Sequence, residues 1–513
     1  MRVALTVGDF LQRADTVYPD RVAVVDEADA VGALGSITYA SLHRRARRMA
    51  ATLDDMGLAA GDRVAIVSPN AAKIVVAFFG VSGFGRTVVP VNFRLNAEEV
   101  SYIVEHSGAS VLLVDPELDE SLSGVGAKER ILLDGVADAA LFADEEASPA
   151  PWEGDETATA SINYTSGTTA RPKGVQLTHR NLWLNSVTFG WHAGVNDRDT
   201  YLHTLPMFHC NGWGMPYALT AMGVSQVVMR KVDGEEILAR IEQHGVTLLC
   251  GAPAVVAAIL DAAAARREAG REVPGRDTVR MVVAGAPPPS STIERVEAEL
   301  GWEFMQIYGL TETAPLLTIN RQRAEWDDLP AAERARLLSR AGAPAVGVRI
   351  KLDEKGEVLA KSNHVFEGYW EQPEATADAL EGGWFHTGDG GYLEDDYVVI
   401  ADRKKDVIIS GGENVSSIEV EDVIYQHPAV AEVAVIGIPD EKWGETVHAL
   451  IVLREGQQVS EDELRDHCRE RMAHYKCPTA FEIRDALPRT ATGKLQKFKL
   501  RAPYWEGRER QIN

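Results

Sequence analysis

"TLLCGAPAVVAAILDAAAARREAG", residues 247–270, joins a short apolar run through a small turn to a long alanine-rich helical pattern. The unit recurs, because "RMVVAGAP" (280–287) leads through "SSTIERVEAELG" to "EFMQIYG" (303–309). Earlier, "RVAIVS" (63–68), "TVVPVN" (87–92) and "SVLLVD" (110–115) alternate with helical stretches such as "NAEEVSYIVEHSG". There Asn96 has N-cap chemistry, and Glu99 follows at capping-box spacing. Continuously apolar strands alternating with helices predict an α/β fold of mostly parallel sheets covered on both faces. Ligand loops then belong at strand C-termini, where "AGAPPP" follows "RMVV" and "YGLTET" follows "EFMQI".

From about residue 340 the pattern changes to short β-rich pieces with glycine turns, as in "AVGVRIKLDEKGEVLA". This predicts a small β-barrel-like subdomain over 340–401, closing an N-terminal domain of residues 1–401. After "DRKKD" (402–406) a compact α+β unit begins. Its helices are "SIEVEDVIYQHP" and "SEDELRDHCRERM", the second with a Ser460–Glu463 capping box. Residues 407–513 form this C-terminal domain, and 402–406 the linker.

With 513 residues, 45% of them hydrophobic and 25% charged, the chain has the composition of an ordinary globular protein of several domains or subdomains. A net charge of -24 argues against a nucleic-acid partner or a general anionic-membrane binder. The longest apolar run, "IVVAFFGV", falls far short of a membrane span, and no signal peptide is recognisable. Cys210, Cys250, Cys468 and Cys477 have neither metal-ligand spacing nor the density of a disulfide framework, so a cytoplasmic, reducing location is expected.

"YTSGTTARPKGV" (164–175) gathers hydroxyls, glycines and a lysine between a strand-like run and a polar helix start. Small donors on a permissive backbone suit a polyphosphate. The P-loop pattern fails, because Pro172 precedes Lys173 and Gly174 follows it. Alone, the stretch reads equally as a polar surface loop.

Six further stretches decide between these: "LPMFHCNGW", "AGAPPP", "YGLTET", "GGWFHTGD", "DRKKDVIISGGENVSSIEVE" and "PRTATGKLQK". In this order they resemble the signature motifs of the adenylate-forming superfamily, in its acyl-CoA synthetase branch. The resemblance spans nearly the whole chain. It implies that ATP, Mg2+ and coenzyme A serve an acid–thiol ligase working through an acyl-adenylate.

The same resemblance assigns residues. Thr165, Ser166, Gly167, Thr168, Thr169 and Lys173 surround the β- and γ-phosphates, with Ala170 standing where many members carry glycine. Gly285, Ala286 and Pro287 lie against adenine and Tyr308 stacks on it. Thr311 meets the α-phosphate, and Glu312 supplies a hard carboxylate for Mg2+. Asp389 and Arg403 hold the ribose. Lys494 bridges substrate carboxylate, α-phosphate and ribose during adenylation, where an anion attacks an anion and fixed cations are required. Lys405 is the hinge about which the C-terminal domain turns between the two half-reactions. That turn brings Gly411 and Gly412 to the pantetheine arm, with Trp384 shaping the thiol channel. His209 stands at the substrate carboxylate, and Trp213, Met215 and Gly309 belong to the acid pocket.

Phe208-His209-Cys210 supplies no anion for an α-ammonium group, which disfavours amino acid substrates. The bulky Trp213 points to a short- or medium-chain fatty acid. An aromatic, branched or thioether-containing short acid is the alternative. A ligase that stops at acyl-AMP and a non-catalytic nucleotide-binding paralogue are the remaining readings. A homodimer, and a lysine acetyltransferase acting on Lys494, are further expected partners.

Overall fold

The computed structural model describes residues 1–165, 171–285, 288–403, 406–410, 413–440, 443–489 and 495–506, excluding the side chains of Asp402, Arg403 and Asn414. The βα alternation becomes two large sheets. One has nine strands in the order Ala343–Pro344, Leu316–Arg321, Glu303–Gly309, Arg280–Val283, Leu248–Gly251, Thr200–His203, Ser225–Val228, Val22–Val25 and Ser36–Thr38. From Glu303–Gly309 to Val22–Val25 its neighbours are parallel, and antiparallel strands close both edges. The other sheet has seven strands, ordered Gly368–Tyr369, Lys173–Thr178, Thr159–Thr165, Thr87–Val91, Arg63–Val67, Val111–Val114 and Glu129–Leu132.

A single apolar core draws on both sheets, with Val64, Val88 and Ala160 from one and Tyr201, Leu248 and Val282 from the other. Helix Ala72–Ser82 contains the whole run "IVVAFFGV", and all of its residues are buried, including Lys73. An element apolar on every side belongs inside a protein core. Lys73 is accommodated by an ion pair to buried Asp138 and by the Leu133 carbonyl, 3.0 Å away. Among the described residues no helix is long and apolar enough to cross a membrane.

The part expected to be barrel-like is a four-stranded antiparallel sheet of Arg349–Leu352, Glu357–Lys361, Phe385–Glu394 and Tyr397–Arg403. A bridge between Gly342 and Val398 ties it to the edge of the nine-stranded sheet. Beyond it, Glu413–Val415, Ile408–Ser410, Gly444–Leu453 and Val430–Asp440 form a separate antiparallel sheet, with Ala480–Ile483 added in parallel. Helices Ser417–Tyr425 and Glu461–Arg471 cover it through a core of its own, which includes Val420, Ile424, Val435, Ile451 and Leu464. The Ser460–Glu463 capping box is formed as the spacing predicts.

Two histidines in the large core set an acid limit on stability. His179, fully buried, accepts the Val7 N–H at Nδ1 (3.3 Å), and its Nε2 has no partner among the described residues. His203 lies 3.0 Å from Gln226 Oε1. Burial depresses both to about 4. Each stays neutral in the fold while the unfolded chain takes up a proton near pH 6.5. Their contribution is therefore intact above about pH 6.5 and lost as pH falls toward 4, on the order of 3 kcal/mol for each group. Denaturant midpoints measured from about pH 7 to about pH 5 are expected to fall steeply, and a flat profile would contradict these assignments.

Candidate functional site

The stretch that suggested a phosphate cradle is a β-hairpin. Thr159–Thr165 and Lys173–Thr178 are antiparallel, and Thr165 faces Lys173 at the mouth. The second arm is a strand, and the polar helix start expected after this stretch follows it. Val175 and Leu177 alternate into the core, and helix His179–His192 begins only after a Thr178–Asn181 capping box. Ser166, Gly167, Thr168, Thr169 and Ala170 lie outside the described residues.

Strand Glu303–Gly309 is followed by the one-turn 3-10 helix Thr311–Thr313. The Tyr308 hydroxyl donates to Asp389 Oδ2 at 2.8 Å, joining the expected adenine and ribose residues. Asp389 is buried and stands opposite Arg403 in the ladder. Gly309 is required by close packing, since a Cβ there would lie 1.6 Å from the Pro315 carbonyl oxygen. On the adjacent parallel strand, Gly285 follows Val283, which pairs with Gln306, so both chain exits reach the same sheet edge. Gly285 has φ +101°, a backbone state that excludes most side chains. Ala286 and Pro287 lie outside the described residues.

Glu312 is linked to the hairpin by a segment the sequence reading did not single out. The Phe366 N–H donates to the Glu312 carbonyl (2.7 Å), Gly368 and Tyr369 pair with Gln176 and Val175, and the Trp370 N–H donates to the Gly174 carbonyl (2.7 Å). The Tyr369 hydroxyl donates to Glu312 Oε1 at 2.9 Å, and Lys173 Nζ lies 4.6 Å from the centre of the same ring. Only the geometry reveals this, because Gly-Tyr-Trp carries no local signal. Burial, reinforced by the Glu312 carboxylate, raises the Tyr369 phenol well above its ordinary range and keeps it a donor.

The "HCNGWG" turn has an unusual backbone. Cys210, Asn211, Gly212, Trp213 and Gly214 have φ of +48°, +52°, +60°, +61° and +76°, a complete left-handed turn. Such a turn costs roughly 1–2 kcal/mol for each non-glycine residue and persists only where its surroundings hold it. Fully buried Asn211 supplies much of that hold. Its Oδ1 accepts from Ser161 Oγ (3.0 Å) and Asn163 Nδ2 (2.7 Å), and its Nδ2 donates to the Tyr217 hydroxyl (3.1 Å). Asn185 Nδ2 donates to the Trp213 carbonyl (3.2 Å) while its Oδ1 accepts the Leu316 N–H (3.1 Å). His209 stands half-buried at the head of the turn, and Trp213 and Met215 are buried. Cys210 Sγ lies 3.9 Å from the Thr311 carbonyl, so the turn touches the loop that carries Glu312.

Ser161, Asn163 and Thr165 alternate along one strand, so one row of side chains links the turn to the hairpin mouth. Asn211→Ala removes three buried hydrogen bonds, leaving Asn163 Nδ2 and Ser161 Oγ only their bond to each other (3.0 Å), and is expected to cost about 2–4 kcal/mol, read as a lower denaturant midpoint. Wild-type stability in that variant would remove Asn211 from this role.

Trp384 is half-buried with Lys351 Nζ 4.5 Å and Lys361 Nζ 6.0 Å from its ring centre, on the four-stranded sheet. Lys405, Gly411, Gly412, Lys494 and the Arg403 side chain lie outside the described residues. Direct contacts and chain adjacency thus connect Thr165, Lys173, Tyr308, Gly309, Thr311, Glu312 and Asp389, with the 210–214 turn alongside. Facing donors, a hard carboxylate and a side-chain-free strand exit suit a nucleotide with its polyphosphate and a divalent cation.

Comparison with known proteins agrees. Residues 11–370 match the AMP-binding enzyme family, and residues 419–494 match the AMP-binding enzyme C-terminal domain. The chain is 38% identical to 2-methylpropanoate–CoA ligase of Humulus lupulus, covering 97% of this chain and 94% of that one. It is 35% identical to the peroxisomal acetate/butyrate–CoA ligase of Arabidopsis thaliana, over the same shares. o-Succinylbenzoate CoA synthetase of Bacillus subtilis, solved with its acyl-adenylate intermediate, superposes with a TM-score of 0.82 at 31% identity, covering 96% of this chain and 97% of that one. The same enzyme with ATP and a magnesium ion gives 0.81 at 30% identity, covering 96% and 98%. The chain belongs to the AMP-binding, adenylate-forming enzyme family, in its acyl-CoA synthetase branch, and is an AMP-forming acid–CoA ligase that uses ATP and coenzyme A.

Proposed function

We propose that the acid is a short-chain carboxylic acid, straight or branched. The supporting observation is the left-handed turn, which holds bulky Trp213 and Met215, the residues assigned to the acid pocket, buried on a fixed backbone. Relatives named for 2-methylpropanoate and for acetate and butyrate fit the same size class. The reading is tested by kcat/KM across straight, branched and aromatic acids from acetate to palmitate. A maximum among the short acids is expected, and a steady rise toward palmitate would overturn it.

In the first step an acid oxygen attacks the ATP α-phosphorus and pyrophosphate leaves, giving acyl-AMP. In the second the CoA thiolate attacks the acyl carbon, AMP leaves and the thioester forms. No enzyme nucleophile is needed. Cys250 and Cys468 fit that, because burial pushes both thiols up to about 12. Thr165, Lys173 and the 166–169 loop are assigned to the phosphates, Thr311 to the α-phosphate, and Tyr308, Asp389, Arg403 and the 285–287 turn to the nucleoside. Mg2+ on Glu312 would neutralise phosphate charge. His209 and Gly309 border the reacting carboxylate. Lys494 comes from a C-terminal domain that turns at 402–406, around Lys405, and then presents Gly411 and Gly412 to the pantetheine arm, with Trp384 at the thiol channel. Four sparse, buried cysteines support a reducing compartment such as the cytoplasm.

A further inference from the structure

We infer that Tyr369 is a positioning residue that sets two opposite charges of the adenylation site at once, the Glu312 carboxylate through its hydroxyl and the Lys173 ammonium through its ring face. The inference rests on the proposed assignment of Glu312 to Mg2+ and Lys173 to phosphate.

Lys173 begins a strand and carries a flexible four-carbon stem, and Glu312 sits on a single 3-10 turn. Neither backbone alone fixes where its charge lies. A cation and an anion borne by neighbouring segments tend to collapse onto each other, and a collapsed pair presents neither charge to a ligand. One rigid ring prevents that by giving each group its own place. The ammonium rests 4.6 Å from the ring centre, and the carboxylate takes the hydroxyl at 2.9 Å. Both contacts are strong for their kind, a cation on an aromatic face and a hydrogen bond to an ionised acceptor.

The ring is itself held from several sides. Its backbone pairs with Val175, its N–H donates to Thr376 Oγ1 (2.9 Å), and Phe366 packs edge-on at 4.8 Å. Phe366 is in turn hydrogen-bonded through its N–H to the Glu312 carbonyl. The strap 366–370 thus registers the phosphate hairpin against the carboxylate turn, and Tyr369 is where that register meets the charges.

The test separates the two contacts by substitution and reads binding. Titration calorimetry of a non-hydrolysable ATP analogue over a range of Mg2+ concentrations is applied to wild type, Tyr369→Phe and Tyr369→Leu, with thermal unfolding alongside. Tyr369→Phe keeps the ring and loses the hydroxyl. It is expected to raise the Mg2+ concentration giving half-maximal enhancement of analogue binding roughly 5- to 10-fold, with metal-free affinity nearly unchanged. Tyr369→Leu loses both contacts and is expected in addition to weaken metal-free analogue binding roughly 3- to 5-fold. In a Glu312→Gln background, Tyr369→Phe should add nothing further to the Mg2+ dependence.

If Tyr369→Phe matches wild type in its Mg2+ dependence while wild type binds the analogue, the inference is overturned and the ligase reading stands. An equal loss with and without Mg2+ would also overturn it, because a merely structural role predicts that. If wild type binds no nucleotide, both the inference and the assignment beneath it fail. The Phe variant alone decides the carboxylate arm if the Leu variant does not fold.

Discussion

Gly309→Ala is expected to lower kcat/KM for acid-dependent pyrophosphate release by at least about 100-fold. The added Cβ would lie 1.6 Å from the Pro315 carbonyl oxygen and 2.7 Å from its carbon, and both obstacles are backbone. No rotamer change relieves the overlap, so strand Glu303–Gly309 or the chain at Pro315 must shift by more than about 1 Å. Either movement reaches the chemistry. Tyr308, one residue back, holds Asp389, and Glu312, three residues on, holds Tyr369. Misplacement by about 1 Å costs on the order of 100-fold where reacting groups must be aligned. Pyrophosphate assays and thermal unfolding of the purified variant check this, and near-wild-type activity at unchanged Tm would show that the packing yields.

Lys494→Ala is expected to abolish adenylation to the limit of a sensitive pyrophosphate assay while Tm and ATP binding stay close to wild type. The attacking carboxylate and the α-phosphate are both anions, so negative charge accumulates at one centre with no protein nucleophile to share it. A fixed cation there is worth roughly 100- to 1000-fold or more in a site that excludes water. Lys494→Arg keeps the charge with a different fork geometry and is expected to recover only a small part of the loss. Acetylation removes the charge and should mimic alanine. Normal pyrophosphate release by Lys494→Ala would reassign the bridging role.

The layered fold is legible because periodicity is local. The run at 247–270 becomes strand Leu248–Gly251 and helix Pro253–Glu268, and the Asn96 and Ser460 caps form where residue type and spacing place them. The polar helix start lies just past the stretch, at His179, but the second arm of the hairpin carries no strand signal of its own because Lys173–Thr178 is short and mixed. Its pairing with Thr159–Thr165 and with Gly368–Tyr369 decides its form, and such pairing is not written locally. The site was partly legible. Tyr308, Asp389, Glu312 and Lys173 stood in motifs, yet the joining of Tyr308 to Asp389 spans 81 residues and that of Tyr369 to Glu312 spans 57. Asn211 lay inside a quoted motif, but nothing in its residue type announces a left-handed turn held by Ser161 and Asn163 from another strand. Tyr369 belonged to no motif that was read, because a tyrosine gains this role only from what the sheet edge brings to it.

The central claim, a ligase that proceeds through acyl-AMP to a CoA thioester, is tested most directly by product stoichiometry. Purified protein is incubated with ATP, Mg2+ and 2-methylpropanoate or butyrate, with and without CoA, and the nucleotides, pyrophosphate and acyl species are quantified together. The account predicts equal amounts of pyrophosphate, AMP and acyl-CoA when CoA is present, and enzyme-bound acyl-AMP with one equivalent of pyrophosphate when it is absent. Formation of ADP and phosphate, or acid-dependent acyl-AMP that CoA never converts to thioester, would contradict it.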